Sequence, residues 1–196
     1  MHGPLDNESL DLIFRNARTQ NGWSDEPVPL ELIHQLFDLI KMGPTSANCS
    51  PARYIFIVTK KGKERLKPSL SEGNVEKTMA APVTVIIGYD MQFYKHFSKL
   101  FPHEDAATWF TGNSALISET AFRNGTLQGA YLIIAARSLG LDCGPMSGFD
   151  QDLVNATFWP NGRIKANFLC NIGVGDNVNI FERSPRFNFD EVCKVI

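Results

Sequence analysis

Between Leu30 and Ile40 the apolar residues Leu30, Ile33, Phe37 and Ile40 recur at steps of three and four, the spacing that lines one face of an α-helix. Pro29 suits the first helical position, and Gly43–Pro44 ends the run. A longer helical pattern extends from about Ser114 to Leu139 and is apolar on nearly every side between Gly129 and Ala136. Such a helix is surrounded by protein, either at the centre of the fold or at a subunit interface. Gly140 supplies its left-handed stop. A shorter helical pattern lies in "ESLDLIFRNA", with Ser9 or Asn7 available as cap. Three unbroken apolar runs, "RYIFIVT" (53–59), "APVTVIIGYD" (81–90) and "NFLCNIGVGD" (167–176), predict buried strands. Strands separated by helices predict an α+β fold, an α/β sandwich. With no repeat or linker in the pattern, one domain over residues 1–196 is expected.

The chain is 43% hydrophobic and 20% charged with a net charge of −2, an ordinary globular composition that argues against nucleic acid or an anionic membrane as partner. No apolar run approaches the ~20 residues of a bilayer span. The polar, acidic start "MHGPLDNESL" does not resemble a signal peptide, so a cytoplasmic protein is expected. Cys49, Cys143, Cys170 and Cys193 lie far apart and are not spaced with His34, His96 or His103 as metal ligands, so no metal is expected and the thiols read as reduced core fillers. Cys49 has no neighbouring histidine to activate it. The basic run "KKGKERLKPSL" reads as a solvated helix face. The aromatic stretch from Phe93 to Phe110 either packs on the core or walls a pocket.

Candidate chemistry concentrates in loops. "KMGPTSANCSPAR" crowds Thr45, Ser46, Asn48, Cys49 and Ser50 between Pro44 and Pro51, which puts many donors and acceptors on one stiff crossing. "CGPMSGFD" (143–150) reads as a second proline-containing turn whose glycines open backbone N–H groups to a ligand. Arg15 and Arg18 stand near one end of the chain, Arg183 and Arg186 near the other. Together with Thr19 and Asn21 they form a candidate phosphate clamp. "GVGD" (173–176) lacks the third glycine, the lysine and the following helix of a phosphate loop.

The order of these motifs resembles the FMN-dependent nitroreductase family, most specifically in "GPTSANCSPAR", "GNVEK" and "LGLDCGPMSGFD". Within the family, "RTQNGW", "ETAFRN" and "GPMSGFD" resemble the RutE/HadB-like branch of malonic semialdehyde reductases of pyrimidine breakdown. The resemblance implies a mixed central sheet flanked by helices, in an intertwined homodimer with one FMN at each subunit interface. Arg18, Thr19 and Asn21 would meet the phosphate and ribityl chain, and Arg186 with Arg183 would hold the phosphate from the other end of the sequence. Pro44, Thr45, Ser46 and Asn48 would line the isoalloxazine ring from the partner subunit. Asn74 and Lys77 match the family's N-x-x-K, which sets Lys77 near the ring's N1 and C2 carbonyl. Pro145, Met146, Ser147 and Gly148 would pass the other edge, with a backbone N–H of Ser147 or Gly148 donating to N5.

Departures from the family pattern are Ala17 before Arg18, Ser50–Pro51 in the first loop, and Ser147 where relatives often carry glutamate. The implied chemistry is ping-pong hydride transfer from NADH or NADPH through the flavin to a small-molecule acceptor, with no protein nucleophile. Arg53, His96, His103 and Arg123 are candidates for a substrate carboxylate. A broad nitro- or quinone-reductase, and a flavin-binding protein without efficient turnover, are the alternatives.

Overall fold

The computed structural model describes residues 3–178 and 180–196. Four strands, β1 (Ala52–Ile57), β2 (Val83–Asp90), β3 (Asp142–Met146) and β4 (Ile164–Gly173), form one sheet in the order β1-β2-β4-β3. The described helices are α1 (Asn7–Leu10), α2 (Leu30–Ile40), α3 (Lys60–Leu66), α4 (Glu72–Ala80), α5 (Phe97–Leu100), α6 (Ser114–Ser138), α7 (Gln151–Phe158) and α8 (Phe189–Val192). Helices and strands thus alternate around one sheet, the α+β arrangement expected.

All three strand pairings are antiparallel. Ile57, the last residue of β1, lies opposite Thr84 near the start of β2, so α3 and α4 carry the chain back to the end it left. Among the described residues, the implied mixed character survives only in the isolated parallel bridge between Thr19 and Cys143, beside β3.

The expected strands and the two long helices are present, with shifted ends. The expected strand over 167–176 begins earlier, at Ile164, and stops at Gly173. The cap of α1 is Asp6, which accepts from the Ser9 N–H at 2.7 Å, and not Ser9 or Asn7. Asn113 caps α6, and Gly140 follows it with φ of 76°. β3 corrects the sequence reading, which took residues 143–146 as part of a turn. Gly144 and Pro145 hide a strand from propensity, and an edge strand with one neighbour tolerates proline.

Alternation along β2 splits the core into two layers. Val83, Val85 and Ile87 pack with Ile33, Leu36 and Ile40 of α2 and Leu132, Ala135 and Ala136 of α6. Ile86 packs on the other face with Leu66, Leu70, Val154 and Trp159. Helices on both faces leave β2 buried throughout, which is why it reads as a continuous apolar run. Phe93, Phe97 and Phe110 form a third cluster with Tyr89, so the aromatic stretch packs on the core.

The basic run needs a correction. Lys60 and Lys61 are exposed, but Lys63 is only 4% exposed. α3 turns that residue inward between α4 and the sheet. No described helix is long and apolar enough to cross a membrane.

Candidate functional site

Residues 17–23 run along the sheet beside β3. The Gln20 N–H donates to the Cys143 carbonyl at 3.0 Å, and Trp23 bridges to Gly175. The segment after β4 returns to the same edge: Arg18 donates to the Phe181 carbonyl, and Arg183 donates to the carbonyls of Arg15 at 2.8 Å and Ala17 at 3.2 Å. Between them opens a cavity of about 430 Å³ lined by Arg18, Thr19, Asn21, Arg137, Arg183 and Arg186, with Glu182 the only carboxylate among the described residues of its wall. Both ends of the sequence therefore meet in one place, as the arginine spacing suggested.

Arg137 was missed in the sequence. A basic residue in the last turn of a helix reads as a partner of the helix dipole, and nothing nearby marks it further. In the fold its Nη1 donates to the Ile13 carbonyl at 3.2 Å, while its Nε is buried with no hydrogen-bond partner. Four arginines and one carboxylate thus line the cavity, with a spare buried donor among them, a donor set of the kind that pairs with an oxyanion.

Asn21 and Phe181 also line an adjoining cavity of about 810 Å³, together with Trp23, Glu76, Lys77 and Asp176. Lys77 Nζ donates to Asn21 Oδ1 at 3.3 Å, and the Trp23 indole donates to the Lys77 carbonyl at 3.0 Å. At the other end of α4, Asn74 Nδ2 and the Ser71 N–H both donate to the Gly148 carbonyl, at 2.7 and 3.1 Å. A Cβ on Gly148 would stand 2.6 Å from Asn74 Nδ2, so a larger residue there would displace the Asn74 amide from its hydrogen bond to the loop. Thr78 Oγ1 lies 3.5 Å from the Met146 sulfur, Pro145 sits opposite Cys170 on β4, and Ser147 is exposed. Asn74, Lys77 and residues 145–148 are thus neighbours, and Asn21 joins them to the arginine cavity.

The loop of Pro44, Thr45, Ser46 and Asn48 lies elsewhere in the chain. Ala47, Asn48 and Ser50 adopt positive φ of 47°, 50° and 37°, a costly conformation for residues with a side chain. α6 holds them there: Asn124 Oδ1 accepts from the Ser46 N–H at 2.9 Å, and Gln128 Oε1 accepts from the Ala52 N–H at 2.8 Å. Thr45 Oγ1 accepts from the Ser50 N–H at 3.1 Å, and Asn48 Nδ2 donates to the Leu100 carbonyl at 2.8 Å. Asn48 lines a separate cavity of about 520 Å³. None of the four residues lines the two cavities described above.

Of the substrate candidates, Arg53 and His96 share that third cavity. Arg53 and Arg163 pair with the fully buried Asp90 at 2.7 and 2.5 Å, and Arg163 donates to His96 Nε2 at 2.8 Å. Burial pushes the Asp90 carboxyl up, but the hydrogen bonds from Arg163 and the Gln92 N–H and the charges of both arginines outweigh it and hold the group below its ordinary range. Asp90 and Arg163 escaped the sequence reading because nothing local links them. His103 and Arg123 stay apart. His103 packs edge-on against Phe101 with centroids 5.5 Å apart, and Arg123 pairs with Glu119 on the exposed side of α6. Burial raises the Cys49 thiol to about 11, which leaves it protonated and unfit as a nucleophile.

The model of the nitroreductase family matches residues 15–175. The chain belongs to the nitroreductase family. Two of its relatives, from Burkholderia lata and Polynucleobacter asymbioticus, carry the name "Putative NADH dehydrogenase/NAD(P)H nitroreductase". The first is 59% identical over 191 residues, 97% of this chain and 98% of that protein; the second is 55% identical over 196 residues, the full length of both. Nitroreductase architecture is also shared with solved structures of low identity. A nitroreductase-like protein from Exiguobacterium sibiricum, crystallised in complex with FMN, superposes with a TM-score of 0.86 at 16% identity over the whole of both chains. A nitroreductase family protein from Streptococcus pneumoniae gives 0.84 at 20% identity over 95% of this chain and 99% of that one.

Proposed function

We propose that this nitroreductase is an FMN-dependent NAD(P)H oxidoreductase that works as a homodimer and reduces malonic semialdehyde to 3-hydroxypropionate. The observation that carries the cofactor reading is the convergence of Arg18, Arg183, Arg186 and Arg137 on one cavity, with Lys77 and Asn74 beside the next. The donor set fits FMN. The buried Arg137 Nε without a partner and three further guanidinium groups suit its phosphate. Thr19 and Asn21 offer hydrogen bonds to the ribityl chain. Lys77 supplies a fixed cation where a reduced ring gathers negative charge, and the Ser147–Gly148 backbone supplies donors along the ring's edge. Bound FMN contributes the hydride chemistry between NAD(P)H and the acceptor; the chain binds, orients and shields.

The stiff loop of Pro44, Thr45, Ser46 and Asn48 is assigned to the FMN of a second copy. Exposed apolar residues support that assembly: Phe122, Leu127 and Tyr131 on α6, and Phe187, Phe189, Val192 and Val195 near the chain end. Semialdehyde as acceptor is supported by the branch motifs. A broad nitro- or quinone-reductase is the second reading, favoured by the names of the relatives at 59% and 55% identity.

The test is the visible spectrum of the purified protein, repeated anaerobically with NADH and then NADPH. Flavin absorption that bleaches, then returns with malonic semialdehyde faster than with a nitroaromatic, is the expected result. Return with the nitroaromatic alone selects the second reading. A colourless protein that does not take up added FMN rejects both.

A further inference from the structure

Lys63 is the most deeply buried cation among the described residues whose burial brings no carboxylate with it. It is 4% exposed, and no described carboxylate pairs with it. Its Nζ donates to the Thr78 carbonyl at 2.8 Å and to Thr84 Oγ1. Thr84 Oγ1 donates to Asn171 Oδ1 at 2.6 Å, and Asn171 Nδ2 returns to Thr78 Oγ1 at 3.2 Å and to the Lys77 carbonyl at 3.3 Å. Both routes from the Lys63 amine lead to Lys77 or Thr78, in the last turn of α4. The exposed carbonyls of a helix end attract a cation, and here the cation comes from inside the protein.

We propose that Lys63 is a positioning residue for the flavin site: its buried amine holds the last turn of α4, and thereby Lys77, and its charge reaches the bound ring through that turn. The inference rests on the FMN reading above. Two acceptors match the two hydrogens of an uncharged amine, and a third proton has no acceptor among the described residues. Burial accordingly lowers Lys63 to about 7. The groups facing it are uncharged: Thr78 and the Lys77 backbone from α4, Thr84 from β2 and Asn171 from β4. On its own helix Lys60, Lys61 and Glu64 are exposed, and Arg65 turns away to donate to the Thr157 carbonyl over the Phe158 ring. The charge behind Lys77 is thus switched on below neutral pH and off above it.

The experiment follows visible absorption and circular dichroism of the FMN-loaded protein, still oxidised, from about pH 6 to about pH 9. Lysine side-chain NMR signals of the apo-protein are followed over the same range. The expected result is a flavin band shift with a midpoint near neutrality, matched by one lysine signal with that midpoint. K63M and K63Q lose both, the second variant serving if the first does not fold. A flavin spectrum that stays constant while the lysine titrates overturns the inference, as does a shift that persists in K63M or K63Q. A wild-type protein that never takes up FMN fails differently: it removes the FMN reading and this inference with it, while the lysine titration is still seen.

Discussion

Arg186 was legible in the sequence and Arg137 was not. Arg186 belongs to a spaced pair near the chain end and matches a family pattern, whereas Arg137 is an ordinary last-turn cation until folding leaves its Nε buried and unpaired. Losing one charge-assisted contact costs roughly 1.5–3 kcal/mol. R186A and R137A are therefore each expected to weaken FMN binding about 10- to 100-fold, measured by fluorescence titration; R137A binding like wild type would remove that residue from the site. Lys63 was misread outright, because a lysine among lysines looks solvated. Its folded value of about 7 lies below the 10.5 of an exposed lysine, so between those values the unfolded chain binds one more proton than the folded chain. Stability from this group thus rises with pH across that window, by up to about 1.4 kcal/mol per unit. Urea unfolding from pH 7 upward should show a flatter dependence for K63M than for wild type. Asp90 has the same sign in a more acidic window, because its folded value is also lowered. Its depressed carboxyl stabilises the fold above the usual 3.8 and loses that contribution as pH falls through the folded value. D90N should therefore shift acid unfolding to higher pH, with the loss already present at neutrality because Arg53 and Arg163 are left without their buried counter-charge.

Elements were legible in proportion to their periodicity. α2 and α6 carry long, regular apolar spacing and appear where expected; β3 is five residues with a glycine and a proline, and only its pairing with β4 makes it a strand. α4 has a weaker amphipathic pattern than α2, yet it bears Asn74 and Lys77 and clamps the 145–148 segment. That contact depends on Gly148. G148A would drive a methyl group into Asn74 Nδ2, so the expected outcome is a displaced loop: lowered FMN affinity and an altered flavin spectrum, with thermal unfolding changed by no more than a typical overpacking cost of about 1–3 kcal/mol. Unaltered binding would show that the loop does not meet the ring.

At the scale of the molecule, the proposed homodimer would divide each site between two chains, so that one chain holds two half-sites. The arginine cavity and α4 make one; the strained loop of Ala47, Asn48 and Ser50 makes the other, and the sequence motifs place both without saying that a single chain keeps them apart. That separation follows from which sheet edge each segment packs on, a long-range outcome with no local signature. The segment from Phe181 onward supplies Arg183 and Arg186 and exposes Phe187, Phe189, Val192 and Val195. Deleting residues 181–196 is expected to abolish FMN uptake and to convert the proposed dimer into a monomer, read by light scattering beside absorbance. A truncated protein that remains dimeric would mean that α6 alone carries the association.

α6 touches both half-sites. Asn124 and Gln128 grip the strained loop, and Arg137 reaches the arginine cavity. From Asn124 to Arg137 the helix rises about 20 Å, and every residue between them is one fixed step on a rigid gauge. A single-residue insertion there would rotate one grip by about 100° relative to the other, so this helix should accept substitution at its exposed polar positions far more readily than any change in its length.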